Sequence, residues 1–435
     1  MSFFNNNNFL DGEKTQWAME QPEDIPFDID DPCVFIEGLE KLLTELSGDL
    51  FLFDWLKNYF QKNENKYEDM KIDTTDDMYN FVRKLFCDAG FVEKRSVQKK
   101  GKEFQDIDSN HLFDAHNLKE WIMGKKLIKK REFAYRLGFV LKLCTGDMTD
   151  LMRKACFMSP FNFKNIDESV YYFCLKEGKN YFDAKQIIRS VKESPEINNK
   201  FAINETRTIE KYIDNIFDEK ELIAFLVENK EGFKFQYRSA VKELENQIKL
   251  SYFNIYDRTN KSVNDLEALD IKDISVSAVL KEITHCDPRH QENGKRIFST
   301  IIESNLPKLI RTNFPSGQYS TQLIKPTNYA PSEDALRKHI ILFTFYNFFC
   351  KKDDEGKYRD KNEFIDYLNS IFLKCGFVPL YARNPYDLMF IAFCIDSDPL
   401  SMFRRFMAEY DETSLYSECE DIDCYIKVDD NEIVN

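Results

Sequence analysis

The chain has 435 residues, of which 43% are apolar and 14% aromatic, and its formal net charge is -15 at neutral pH. This apolar fraction supplies a large core and excludes a chain that is disordered throughout. The negative charge disfavours broad, sequence-blind binding of nucleic acid, although a local basic face is compatible with it. With only 14 glycines and 13 prolines, the composition favours helices joined by short connections.

Cysteine spacing and the lack of long apolar runs indicate the compartment. The 11 cysteines show no CxxC spacing, and most lie in apolar helical stretches such as YYFCL and IAFCI. Such a pattern is typical of reduced, buried thiols. The beginning, MSFFNNNNFLDGEK, has no basic stretch followed by an apolar core, and the longest apolar run, 340–350, is shorter than a span of about 20 residues. We expect a soluble, cytoplasmic protein without membrane contact.

Apolar residues recur at helical spacing along most of the chain, and strand-like alternation is hard to find. The pattern predicts an all-α, multi-helical protein with two related helix-turn-helix-like modules joined by a helical connector. In chain order, the predicted segments are a flexible arm at 1–30, a helical region at 31–110, module 1 at 111–198, the connector at 199–290, module 2 at 295–412 and an acidic tail at 413–435.

The two modules share a segment. Residues 151–175 and 371–395 align without a gap, and the identical pairs 220 positions apart are Lys154/Lys374, Phe157/Phe377, Asp167/Asp387, Phe173/Phe393 and Cys174/Cys394. Self-similarity at a fixed offset predicts two related units. We predict Asp147, Asn165 and Asn384 as helix N-caps. The gapless offset pairs Asn165 with Pro385, so either the cap slips by one residue between copies or one cap is misassigned.

Ahead of the repeat stands a pattern of helix-packing residues: Leu118, Glu120, Trp121, Gly124, Phe133, Leu137, Leu141 and Leu151. It resembles the second half of the phage-repressor-type (XRE) helix-turn-helix, as found in uncharacterised proteins of low-GC Gram-positive bacteria. The second copy has Ile324 in the place of Trp121 and Thr327 in the place of Gly124. The preceding stretch, EFQDIDSNHLF, departs from the family because it is acidic and lacks the Leu-Ala pair of the second helix.

The resemblance implies candidate DNA contacts in module 1. A basic turn follows the helix that would read the groove, and its candidates for phosphate contact are Lys125, Lys126, Lys129, Lys130, Arg131 and Arg136. Candidates for base contact are Asn117, Lys119 and Glu120. The alternative is a solvated loop in a lysine-rich protein. Module 2 has mixed charge in the same place, and we expect it to contact a protein partner or a second copy.

No motif predicts catalysis or a metal centre. The run from His285 to His290 holds a cysteine, an aspartate and two histidines, but four well-spaced zinc ligands are not evident, and a turn is the simpler interpretation. Cys419 and Cys424 lie in the acidic tail and are better explained as part of a mobile segment. A P-loop, GxSxG, HExxH and GxGxxG are all missing from the sequence. We therefore expect no catalytic residues, no cofactor and no metal.

Three functional hypotheses follow. The first is a non-enzymatic DNA-associated regulator of a bacterium or mobile element, contacting double-stranded DNA through module 1. The second is a phage-defence effector or interaction scaffold, in which degenerate modules contact proteins. The third is a hydrolase without a recognisable motif. The basic turn favours the first hypothesis, whereas the acidic balance favours the second.

Overall fold

The computed structural model describes residues 32–47, 51–63, 66–67, 72–94, 109–128, 130–195, 206–233, 237–256, 268–286, 291–292, 295–296, 306, 308–324, 331–352, 356 and 358–410. Within these residues the backbone is helical apart from turns, loops and two pairs of two-residue strands. The all-α, multi-helical fold class is therefore confirmed.

The elements up to residue 236 begin with a helix that is followed by a long helical series. They are α1 (Pro32–Ser47), α2 (Phe51–Lys62), α3 (Thr75–Asp88), β1 (Val92–Glu93), β2 (Leu112–Phe113), α4 (Ala115–Ile122), α5 (Arg131–Val140), α6 (Thr145–Asp150), a π-helical turn (Leu151–Ala155), α7 (Ile166–Lys176), α8 (Tyr181–Glu193), α9 (Thr206–Asn215) and α10 (Glu219–Glu228). The strands β1 and β2 pair in parallel, with Val92 opposite Leu112 and Glu93 opposite Phe113.

The remaining elements repeat this helical character. They are α11 (Arg238–Tyr256), α12 (Val276–Thr284), β3 (Gln291–Glu292), β4 (Lys295–Arg296), α13 (Lys308–Arg311), α14 (Gly317–Ile324), α15 (Glu333–Phe349), α16 (Lys361–Cys375), α17 (Pro385–Phe393) and α18 (Pro399–Ala408). The strands β3 and β4 pair antiparallel. Short 3-10 turns are found at Ser109–His111, Lys230–Phe233 and Ile271–Asp273.

The chain divides into two compact units at boundaries that differ from the predicted ones. The middle unit comprises 48–236, and the split unit comprises Met1–Ser47 together with Tyr237–Asn435. The predicted connector, 199–290, is therefore not a separate segment. Its first helices, α9 and α10, pack on α7 and α8, whereas α11 packs along α15. The predicted N-terminal region is likewise divided, because α1 packs on α17 and α18.

Helix starts follow local capping chemistry. The side chains of Asn165 and Asn384 accept backbone N–H bonds at the first turns of α7 and α17, as predicted. The predicted cap Asp147 is wrong. Helix α6 begins three residues earlier, where the Cys144 sulfur accepts the amide of Asp147. The capping side chain is therefore a thiol, which the sequence pattern did not single out.

The cores of the two units differ in how deeply they enclose their central helices. In the split unit, α15 contacts α11, α16, α17 and α18, and nearly all of its side chains are buried. In the middle unit, the first turn of α5 is half-exposed and only its remainder is buried. Within the described part of the chain, no helix combines the length and the apolar character that crossing a bilayer requires.

The described residues directly ahead of α4 do not form an α-helix. Residues 109–113 hold a 3-10 turn and strand β2, and Asp114 caps α4. The helices that pack against α4 include α2 and α3, which end at Lys62 and Asp88. Among the described residues, therefore, no α-helix leads into α4 through the tight three- or four-residue turn of a helix-turn-helix.

Candidate interaction surface

The basic turn after α4 lies on the surface. Lys125, Lys126 and Lys130 are exposed, and Lys129 lies outside the described residues. The ammonium of Lys126 is paired with the carboxylate of Glu120, and this hydrogen bond is the main cause that lowers the pKa of Glu120. Gly124 forms the predicted turn, with a left-handed φ of +68° that favours glycine. The exposed lysines therefore remain candidates for phosphate contact.

Arg131 does not join these lysines at the surface. Its guanidinium pairs with the Glu168 carboxylate on α7, with Nε–Oε1 at 2.6 Å and Nη2–Oε2 at 2.5 Å. It also donates to the backbone oxygens of Ser159, at 2.9 Å, and of Pro160. The hydroxyl of Tyr135 donates to the same carboxylate at 2.7 Å. Arg131 therefore belongs to the interior, and a phosphate contact would require breaking this ion pair.

Arg136 is buried as well. Its Nε donates to the hydroxyl of Tyr181 at 3.1 Å, and its Nη1 donates to the backbone oxygen of Leu112 at 2.9 Å. Its Nη2 lies 3.7 Å from the Glu132 carboxylate. Local charge alone suggested a surface role, but the position of Arg136 on α5 faces β2 and α8. It is therefore removed from the candidate surface.

The three candidates for base contact lie on α4 and have local partners. The Asn117 amide donates to the Asp114 carboxylate at 3.0 Å. Lys119 forms an ion pair with Asp76 of α3 at 2.8 Å, and Glu120 pairs with Lys126 as described above. Their bonds tie α4 to α3 and to the following turn. Base contact by these residues stays a prediction.

The split unit contains an ion pair like that of Arg131. Arg337 on α15 binds the Asp387 carboxylate on α17 through both Nη atoms, with Nη2–Oδ2 at 2.6 Å. Its Nη2 also donates to the backbone oxygen of Pro379 at 3.1 Å. The amide of Tyr381 donates to Asp387 Oδ2 at 2.8 Å. Arg337 is 7% and Asp387 1% exposed, so this pair is shielded from water.

The bonds around the two arginines match position by position. In each unit the arginine donates to the carbonyl oxygen of a loop proline. The backbone amide two residues after that proline donates to the carboxylate with which the arginine is paired. The matched residues, each 219 positions apart, are Pro160/Pro379, Asn162/Tyr381, Asn165/Asn384 and Glu168/Asp387. From Pro160 to Glu168, the structurally matched residues of the two units are therefore 219 positions apart in the sequence, and not 220.

The offset changes at the π-helical turn. Up to the beginning of this turn, buried positions match at 220, as in Met148/Leu368, Leu151/Ile371 and Met152/Phe372. A π-helical turn bonds residue i to residue i+5 and thus takes up one more residue than an α-helical turn. The middle unit has this turn at Leu151–Ala155, whereas α16 is a regular α-helix. The cap slip in the sequence repeat therefore has a structural cause.

A polar cluster lies beside Arg131 in the middle unit. The hydroxyls of Tyr171, at 2.7 Å, and of Tyr181 donate to the Glu132 carboxylate, and the Lys185 ammonium lies 3.4 Å from it. Burial alone would raise the pKa of Glu132, but the two tyrosine bonds and the charges of Lys185 and Arg136 together lower it. The cluster keeps its carboxylate ionised and internally bonded, which is a structural arrangement.

Two exposed aromatic side chains lie in the same unit, Tyr212 on α9 and Phe217 in the connection to α10, and together with the partly buried Phe225 of α10 we call them the aromatic face. Phe217 is 71% and Tyr212 52% exposed. The ring of Tyr212 stacks on that of Phe225, with centroids 5.4 Å apart and planes 16° apart. Phe217 is the most exposed large apolar side chain among the described residues. Such exposure is unusual because burying a phenyl ring contributes about 1.5–3 kcal/mol.

The backbone around Phe217 is held in place. Lys176 of α7 donates to the carbonyls of Ile213 at 3.2 Å, Asp214 at 2.7 Å and Ile216 at 2.7 Å, at the end of α9. The same ammonium lies 4.5 Å from the centre of the Phe217 ring. Ile216 itself is buried, so Phe217 projects from a fixed base. A pre-organised ring loses little conformational entropy when a partner covers it.

Sequence reasoning missed the aromatic face because it treated α9 and α10 as connector. The available signal was the pattern IEKYIDNIF, in which Ile209, Ile213 and Ile216 share one helical stripe while Tyr212 and Phe217 fall outside it. Aromatic residues outside the buried stripe of an amphipathic helix face solvent.

No metal centre is evident in the described ranges: they hold no group of three or more potential His, Cys, Asp or Glu ligands. His285 and Cys286 are largely buried at the end of α12, whereas the rest of that motif, 287–290, and both tail cysteines lie outside the described residues. Burial lowers the pKa of His285 to about 3.

Comparisons with known proteins give no relative: the chain matches no protein-family model, no curated protein and no solved structure. The resemblance to repressor-type proteins therefore rests on the residues quoted for it.

Proposed function

We propose that the chain is a non-enzymatic interaction protein that binds a partner through the aromatic face of its middle unit. The observation that carries this proposal is the exposed Phe217 ring on a backbone fixed by Lys176. Aromatic side chains contribute disproportionately to protein interfaces, because a rigid ring covers much area at low entropic cost. Tyr212, stacked on Phe225, is a second exposed ring of the same pair of helices.

We also infer that the two units are copies of one helical fold. In its support, α3 packs on α4 as α12 packs on α14, and the arginine–carboxylate bonds coincide. In the split unit, α1 contacts both α17 and α18, α13 also contacts α17 and α12 also contacts α18, whereas α9 and α10 contact the matching helices of the middle unit. The aromatic face therefore lies on the part in which the copies differ, where a specialised function is expected.

Co-purification with matched variants tests the interaction proposal. The tagged chain is expressed in its source cells as wild type, as the double variant Tyr212→Ala/Phe217→Ala, and as Tyr367→Ala. Tyr367 is an exposed ring of the split unit and serves as the control. We expect a partner that is retained by wild type and control and lost from the double variant. A partner set that is identical for all three chains would contradict the proposal.

A second candidate is the DNA-associated regulator, which the exposed Lys125, Lys126 and Lys130 favour. Lysines in a turn beside a helix can neutralise phosphates and release counterions. Against it stand the internal bonds of Arg131 and Arg136, which leave a smaller basic surface than the sequence predicted.

Salt-dependent binding of random duplex DNA tests this second candidate. Each phosphate contact contributes about -0.9 to the slope of log affinity against log salt. Changing Lys125, Lys126 and Lys130 to Glu should remove the binding, whereas the same change at the exposed Lys57, Lys62 and Lys84 should weaken it much less. Equal losses of DNA binding in both triple variants would show that the binding depends on net charge and not on these three lysines.

A further inference from the structure

The aromatic face has a charge character that selects among partners. Between Thr208 and Glu228, six acids outnumber two lysines: the acids are Glu210, Asp214, Asp218, Glu219, Glu221 and Glu228, and the lysines are Lys211 and Lys220. Two lysines from outside this stretch also lie here, Lys176 over the Phe217 ring and Lys179 paired with Glu219, and the acids still outnumber the lysines. Most of these charges are exposed. We propose, building on the interaction function above, that this face binds a cationic amphipathic helix of a partner protein, with arginine or lysine against the rings.

A second copy of the chain is a poor occupant. A symmetric contact places the same patch on both sides, and the excess acids of one copy would then face those of the other. Like charges that meet at an interface cost free energy and suppress the wrong partner. A partner with the opposite charge gains attraction from the same acids, and its apolar side chains cover Tyr212 and Phe217.

One ring of the aromatic face already contacts a cation of the same chain. The ammonium of Lys176 lies over the Phe217 ring, and Phe217 remains largely exposed beyond it. A cation over an aromatic ring is attracted by the ring quadrupole, and arginine is the most frequent partner of this kind. Arginine of a docked helix can therefore contact the open side of Phe217 or the Tyr212–Phe225 stack.

The positions of the rings also suit a helical partner. Tyr212 and Phe225 lie on two successive helices, and Phe217 lies in the connection between them. An amphipathic helix that binds in a groove presents apolar anchors at i, i+3, i+4 and i+7. Tyr212 and Phe217 offer two exposed rings to such anchors, whereas an extended strand would require an open sheet edge.

Fluorescence anisotropy with synthetic peptides on the full chain tests this inference. One labelled peptide is an amphipathic helix of leucine and arginine, and a second replaces each arginine by glutamate. We expect the arginine peptide to bind and the glutamate peptide not to bind. Tyr212→Ala/Phe217→Ala should weaken binding at least about tenfold, a loss typical of interface anchors. Tyr367→Ala should leave binding unchanged.

Several results would overturn the inference. They are the absence of arginine-peptide binding, equal binding of both peptides, and equal binding by wild type and the double variant. The last result would mean that the arginine peptide is attracted only by the negative net charge of the protein. Dimerisation of the wild type that the double variant abolishes would identify a second copy as the occupant. If co-purification still depends on Phe217 while the peptide fails, the interaction function stands and only the partner chemistry is wrong.

Discussion

The middle unit and the split unit place different chemistry around the same ion pair. Beside the Arg131–Glu168 pair stand Tyr135 and Tyr171, whose hydroxyls bond carboxylates. The matching positions in the split unit, four residues after Arg337 and three after Asp387, are occupied by fully buried Ile341 and Phe390. The arginine–carboxylate pair and its bond to a proline carbonyl therefore occur in both units, whereas the side chains beside them are polar in one and apolar in the other.

The comparison predicts its largest effect at the two arginines. Arg337→Met leaves Asp387 buried with one remaining donor, the amide of Tyr381, and should cost about 3–5 kcal/mol of unfolding free energy. Arg131→Met leaves Glu168 with the Tyr135 hydroxyl and the Asn162 amide, and should cost about 1–3 kcal/mol.

Hydrogen exchange of α15 and α5 in urea measures each loss in its own unit. The double variant Arg337→Met/Asp387→Leu is the control, since it removes the orphaned charge and should recover part of the stability. Equal costs for the two single variants would contradict the difference that we assign to the remaining donors.

The units should also differ in acid sensitivity. Burial lowers the pKa of His339 on α15 from 6.5 to about 4, so the unfolded state binds a proton first as the pH falls. His339 therefore makes the split unit lose up to about 3 kcal/mol of stability between about pH 6.5 and 4, and buried His285, whose pKa is lowered to about 3, adds to this loss down to lower pH. The lowered pKa of Glu132 stabilises the middle unit above the ordinary glutamate pKa of 4.5, and this contribution is lost only below it.

The measurement is exchange protection of α15 and α5 across this pH range, in wild type and in His339→Gln. The variant should reduce the pH dependence of α15, leaving the part that His285 contributes, and should leave that of α5 unchanged. An α5 that loses protection at higher pH than α15 would reverse the predicted order.

A smaller effect is expected at the loop that follows the matched helices. Gly376 has a left-handed φ of +76°, and a Cβ added there would meet no atom within 4 Å. Gly376→Ala should therefore cost only backbone strain, about 1–2 kcal/mol. In the middle unit Phe157 adopts this conformation at φ +53° and packs on Phe51. Phe157→Gly should change stability little, because relieved strain offsets the lost ring contact; denaturation midpoints of both variants test this contrast.

Local chemistry made part of the fold predictable. Helical periodicity gave the all-α class, and asparagine capping gave the beginnings of α7 and α17. The internal bonds of Arg131 and Arg136 were not predictable from the sequence. A run of basic residues does not reveal which of its side chains will pair with a carboxylate that is distant in the chain, such as Glu168. The unit boundary escaped for a similar reason, since α1 contacts helices more than 300 residues away. The aromatic face required knowing which side of α9 is covered.

The most direct test of the two-copy account is a pair of single-residue deletions at the identical lysines Lys154 and Lys374. Lys154 lies in the π-helical turn, so its deletion should convert that turn to a regular α-helix and leave the Arg131–Glu168 pair in place. Lys374 lies in regular α16, so its deletion should shift the loop relative to Phe372 and disrupt the Arg337–Asp387 pair. We predict that hydrogen exchange retains protection of α7 in the first deletion and loses that of α17 in the second. Loss of α7 protection with α17 unaffected would contradict the account.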